Sequence, residues 1–251
     1  MKCFLASFAA SLWLLAAPAL AALGTPVSLG TGNTAATVSA SVVITTLVDA
    51  PAGSTIYVAS GVMTGAGTPA TIVDSALNTY TLSGTCSTLN SQRMCGWYTV
   101  LGSQLNAGSL ITITWSTATG EKFAAAASVT GTAPSSVVDQ HATASNTARP
   151  VTVTTGTLSQ ANEIAFAFLQ VVNPVVTFTE STSNAFTSIS NVAGTGGRKA
   201  WFSYRITSAT TAVTWAPTIS ADQTWTALLD TLKEASSGST VKNRLLRGVG
   251  P

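Results

Sequence analysis

The chain has 251 residues, a formal net charge of +2, one histidine and only 8% charged residues, against about 25% in ordinary soluble domains. Its exposed faces must therefore be covered by Thr, Ser, Asn, Gln and Gly, and no basic stripe exists to neutralise a run of phosphates, so nucleic acid is not an expected partner. With so few Cys and His ligands, a structural zinc site is not expected either.

At the N-terminus, Lys2, an apolar stretch over 4–17 and the small-x-small site Ala19-Leu20-Ala21 predict a secretory signal over 1–21. The mature chain then begins at Ala22, in a secreted or cell-surface setting, with periplasmic or virion-associated settings included. Pro18 interrupts the apolar run where a spanning helix of about 20 residues would continue, and no charged stop-transfer cluster follows. No stable membrane span is expected after cleavage.

Beyond Ala22, apolar and hydroxyl residues alternate with period two, which predicts strands with one buried and one wet face. The stretches 38–45, 110–115, 151–154 and 201–206 are the clearest, rich in β-branched and aromatic side chains. Turn signals separate the strands: Pro51-Ala-Gly-Ser54, Thr64-Gly-Ala-Gly-Thr68, Asn106-Ala-Gly108 and Gly194-Thr-Gly-Gly197. Many short strands broken in this way point to a sandwich or barrel. The stretch 122–129, with four consecutive alanines, is read as a buried strand of small side chains, because it lies among strand-like neighbours and ends before Gly131.

An internal repeat organises these elements. Ser54-Thr-Ile-Tyr-Val-Ala59, Asn78-Thr-Tyr-Thr81, Gly96-Trp-Tyr-Thr-Val100, Ile111-Thr-Ile-Thr-Trp115 and Lys122-Phe-Ala-Ala125 recur in order about 100 residues later. Their counterparts are Asn162-Glu-Ile-Ala-Phe-Ala167, Asn184-Ala-Phe-Thr187, Ala200-Trp-Phe-Ser-Tyr204, Ala212-Val-Thr-Trp215 and Thr224-Trp-Thr-Ala227. The expected fold is all-β: a duplicated immunoglobulin-like β-sandwich, with repeats at 22–133 and 134–235 and a flexible basic tail over 236–251. A single larger jelly-roll-like sandwich made from two halves is the alternative.

Two stretches, Pro51-Ala-Gly-Ser-Thr-Ile-Tyr-Val58 and Val73-Asp-Ser-Ala-Leu-Asn-Thr-Tyr-Thr81, resemble those of Thr/Ser-rich immunoglobulin-like modules in bacterial exported and phage-associated surface proteins. In such modules the second motif often runs Asp-Ser-x-Gly-Asn-Thr-Tyr, a tight turn between strands; here Leu77 stands in place of the Gly. The resemblance covers most of the mature chain and implies a surface location more than a chemistry.

The search for chemistry assigns no catalytic residue, metal or cofactor. No Gly-x-Ser-x-Gly elbow occurs in the mature chain, so a triad would hang on His141, which lies in the polar stretch 138–146 and reads as an exposed loop residue. Most of the nine acidic residues sit beside turns, where Asp49, Asp74 and Asp222 act as caps rather than as a glycosidase pair. Calcium-loop, phosphate-loop and dinucleotide fingerprints are missing. Trp97, Trp115, Trp201, Trp215 and Trp225 mostly recur at matching places, which makes them core anchors rather than a sugar-stacking platform.

Cys3 leaves with the signal, so Cys86 and Cys95 are expected to pair. The bond would pin a polar loop without a counterpart in the second repeat, and Gln92, Arg93 and Tyr98 are its candidate contact residues. Expected partners are a protein or glycan at a surface, or further copies of this chain. The expected role is that of a non-enzymatic exported surface protein, adhesin-like or a structural component of an extracellular or virion assembly, with a carbohydrate-binding module as the alternative.

Overall fold

The computed structural model describes residues 22–34, 39–63, 67–116, 118, 120–173, 175–181, 184–194 and 198–236. The expected signal, and the expected tail beyond Ser236, lie outside the described residues. In the first half the strands are β1 (Val27–Asn33), β2 (Ser41–Thr45), β3 (Thr55–Val62), β4 (Pro69–Asp74), β5 (Thr81–Leu82), β6 (Ser87–Leu89), β7 (Gln92–Val100), β8 (Leu110–Trp115) and β9 (Lys122–Val129). In the second they are β10 (Val138–Asn146), β11 (Val153–Thr154), β12 (Glu163–Val171), β13 (Phe178–Thr179), β14 (Thr187–Ala193), β15 (Lys199–Thr207), β16 (Thr214–Trp215), β17 (Thr218–Ile219) and β18 (Trp225–Lys233).

The first half forms a large sheet, β1-β9-β3-β7-β5 with β6 also paired to β7, and a small sheet, β2-β8-β4. In the second half the large sheet runs β10-β18-β12-β15-β14, and two small pieces, β11-β16 and β13-β17, accompany it. The order of the large sheets is therefore the same in both halves, strand for strand. All of these pairings are antiparallel.

Successive side chains of a strand point to opposite faces, and the two faces of β3 enter different cores. Ile56, Val58 and Val62 pack with Val42, Ile44, Ile111, Ile113 and Trp115 of the small sheet. Tyr57 and Ala59 pack with Phe166, Phe168 and Phe202 of the second half. The Tyr57 ring lies on Phe166 with centroids 4.7 Å apart and planes 7° from parallel. The molecule is thus built in four layers: small sheet, large sheet, large sheet, small pieces.

The inner strands of the central layers are dry on both faces. β3, β9 and β12 are buried along their whole length, and β18 up to Lys233. This departs from the expected single wet face, which survives in the small sheet, where β2 and β8 alternate buried with more exposed positions. Two-sided burial demands apolar or small side chains throughout, and Phe123-Ala-Ala-Ala-Ala127 in β9 meets that demand as the buried strand expected there. Trp97, Trp115, Trp201, Trp215 and Trp225 are all buried, as core anchors should be.

The sequence alignment of the halves needs a correction at β3. Matching Ser54-Thr-Ile-Tyr to Asn162-Glu-Ile-Ala sets Tyr57 against Ala165, yet the residue stacked on Tyr57 is Phe166. Ala165 must point to the other face, so the repeats match by face only after an odd shift, which a period-two pattern cannot reveal by composition alone.

At the turn after β4, Leu77 has φ 60° and is 80% exposed, so it takes the left-handed conformation that glycine would adopt without strain. Asp74 holds the turn in place: its carboxylate accepts from the amides of Ala76 and Asn78 at 3.0 Å, from Asn78 Nδ2 at 2.9 Å and from Tyr80 Oη at 3.0 Å. Leu77→Gly should raise stability by up to about 1 kcal/mol in chemical denaturation, the relieved strain less the entropy that glycine adds to the unfolded chain. Among the described residues, no helix is long and apolar enough to cross a membrane.

Candidate contact site at the disulfide hairpin

β6 and β7 form a hairpin in the register Ser87↔Met94, Thr88↔Arg93 and Leu89↔Gln92. It is closed by Asn90-Ser91 with φ of 48° and 66°. Two central residues at positive φ give the primed turn whose twist suits paired strands. One step along the same register, Cys86 faces Cys95 with Cα atoms 4.4 Å apart and the sulfurs bonded. Replacing both by Ser should lower stability by about 2–3 kcal/mol in denaturant titration, and non-reduced peptide mass mapping of the native protein should find the Cys86–Cys95 link.

The hairpin does not stand free. Gln92, expected to be exposed, is only 3% exposed, and Tyr98 is half-buried against the core shared with the second half. Both lie with Met94 on the face of β7 that turns toward the second large sheet. Ser87 Oγ donates to the Ala144 carbonyl at 3.1 Å, and Gln170 Nε2 donates to the Arg93 carbonyl at 3.4 Å. A polar loop in sequence is therefore partly a polar joint between halves. Its outward part consists of Thr88, Asn90 and Ser91, with Arg93 half-exposed and without a carboxylate partner among the described residues.

Beside the hairpin lies the chain's single histidine. His141 sits on β10, not in a loop, and its Nδ1 is 2.5 Å from Asp230 Oδ1. Its Nε2 is 2.7 Å from the Thr85 carbonyl, while the Thr85 hydroxyl is 3.5 Å away. Asp230 is fully buried, and its other oxygen accepts from Tyr57 Oη at 2.5 Å. Both ring nitrogens thus face oxygen acceptors, an arrangement that suits the doubly protonated ring. Burial disfavours the charge on His141, but the hydrogen bond and charge of Asp230, with help from the Thr85 carbonyl, outweigh it and raise the imidazole above its ordinary value. With Thr85 and Tyr57 from the first half and His141 and Asp230 from the second, these contacts form a polar clamp between the halves.

A second titratable pair lies on the second large sheet. Burial pushes the Glu163 carboxyl up to about 7; the nearby Thr231 hydroxyl opposes the shift and the neighbouring Asp139 adds to it. Burial would also raise Asp139, but bonds from the Ser159 hydroxyl and amide prevail and hold it low. Folded Glu163 and His141 each bind a proton more tightly than in the unfolded chain. Their contributions are complete at acid pH and are lost as pH rises through the folded values. Stability should therefore fall between about pH 5 and pH 8, as read by thermal unfolding across that range, and Glu163→Gln should flatten the decline.

A third joint is made by Arg198 Nη1, which lies 3.2 Å from Glu121 Oε2. Among the described residues, no group of three or more His, Cys, Asp or Glu is gathered as metal ligands. Compared with known proteins, the chain matches no family model, no curated protein and no solved structure.

Proposed function

We propose that this chain is a non-enzymatic exported surface protein, an immunoglobulin-like adhesin or structural component of an extracellular or virion assembly, which presents neutral, hydroxyl-rich loops from a rigid scaffold. The observation that carries this reading is where the chemistry-bearing groups are engaged. Asp230 bonds both His141 and, across the interface between halves, Tyr57; Glu121 holds Arg198, and Asp74 holds a turn. What remains outward is low in charge, including the Asn90-Ser91 tip, which a disulfide fixes in place. Loops fixed on a stiff framework are favourable places for recognition.

The test is expression of the full chain in a bacterial host, followed by fractionation, N-terminal sequencing and protease shaving of intact cells. Processing before Ala22 and protease-accessible or released protein are the expected results. Full-length protein retained in the cytosol would defeat the reading, as would a hydrolytic activity abolished by His141→Ala in a folded variant.

A further inference from the structure

We propose that the cleft bounded by β13, β14 and β15 binds an acidic sugar, a uronic acid unit of a glycan. The proposal draws on the surface reading only for where such a glycan would be met; binding itself is argued from the cleft. In the first half a continuous three-stranded sheet covers the large sheet, whereas in the second half the cover is split into β11-β16 and β13-β17. The split leaves a cavity of about 400 Å³ against β14 and β15, within the ordinary range of ligand clefts, about 300–1,000 Å³.

The lining combines a ring face with an excess of donors. Phe178 is half-buried and stacks on Trp201, centroids 4.9 Å apart and planes 15° from parallel. Val192 adds apolar surface beside them. Lys199 Nζ donates to the Val176 carbonyl at 3.1 Å, which tethers the ammonium at the wall and leaves it further N–H groups. Asn191 is exposed, and neither its amide nor the Trp201 indole N–H has a hydrogen-bond partner among the described residues. Among the lining side chains the acceptors are fewer: the Asn191 amide oxygen and the Thr177 hydroxyl.

Among the described residues, no carboxylate lines the cavity. Glu180, next to β13, is engaged by the Ser203 hydroxyl and by the Trp215 indole at 2.8 Å. The complementary ligand has an apolar C–H face for the aromatic ring, more acceptors than donors, and a negative charge for Lys199. A pyranose bearing a carboxylate has all three. A cleft of the first half, beside β4, is lined by no lysine among the described residues, and its Tyr80 hydroxyl is held by Asp74.

The experiment follows the Trp201 indole N–H resonance by nitrogen-edited NMR while sodium glucuronate, glucose or sodium glutamate is titrated into the full chain at constant ionic strength. A saturable shift with glucuronate is expected, with affinity at least about tenfold above that for glucose or glutamate. Lys199→Met should lower glucuronate affinity about tenfold without altering the response to glucose, and Asn191→Ala should weaken both sugars. Absence of a saturable shift with glucuronate, equal affinity for glucose or for glutamate, or full binding by Lys199→Met would overturn the proposal. The titration uses purified protein, so failure of export leaves it unaffected, and its own failure leaves the export test standing.

Discussion

Asp230→Ala should destabilise the protein by about 3–5 kcal/mol, the scale on which removing one member of a buried charged pair acts. Asp230 is 0% exposed and accepts from Tyr57 of the first half and His141 of the second. Alanine would leave the Tyr57 hydroxyl without its acceptor in the interface and His141 with one partner, the Thr85 carbonyl. Asp230→Asn keeps an acceptor oxygen and should cost less, while Tyr57→Phe, which removes only one hydroxyl, should cost about 1–2 kcal/mol. The alanine variant should also lose the part of the pH dependence that comes from His141, because the group that raises the imidazole is gone. Urea titrations at acid and alkaline pH measure both effects. A loss below about 1 kcal/mol would mean that the clamp contributes no more than an exposed ion pair.

Trp215→Ala should cost a similar amount, about 3–5 kcal/mol, through lost contacts and the cavity left behind. The ring is 0% exposed and lies against Phe178 and Phe186, centroids 6.2 and 6.1 Å away. Its counterpart Trp115, 1% exposed, provides an internal control. Trp215 donates its indole N–H to Glu180, whereas the Trp115 nitrogen has no partner among the described residues. The phenylalanine variants should therefore differ: Trp215→Phe loses a hydrogen bond to a charged group, worth about 1.5–3 kcal/mol, and Trp115→Phe loses none. Equal costs for the two would remove Glu180 from the account.

The all-β class, the strand character of the alanine run and the burial of the tryptophans were legible because each depends on local side-chain type. The second dry face was not. Alternation in β3, Thr55-Ile-Tyr-Val-Ala-Ser, looks alike whether its second face meets water or another sheet, since threonine, serine and tyrosine serve both. The same ambiguity hid His141, whose partners Asp230 and Thr85 are 89 and 56 residues away in sequence. It also made Gln92 look outward. Leu77 shows the opposite case: the departure from glycine was visible, and the backbone kept the left-handed turn because Asp74 gathers the amides around it. The cleft beside Trp201 had no signal in sequence, because it arises from a break in the covering sheet.

The two large sheets meet reciprocally. β1 of the first half packs on β14 of the second, and β10, which has the place of β1 in the strand order, packs on β6 at the corresponding edge. Likewise β9 lies by β14, and β18, its match in the strand order, lies by β6. Such exchange of equivalent contacts is what a two-fold axis produces between identical subunits. The two halves of the chain therefore face each other across an approximate two-fold axis, each presenting the same edge and face to the other. The fit does not require the halves to be alike elsewhere: one carries a cystine at its edge, and the other has a split cover over Trp201.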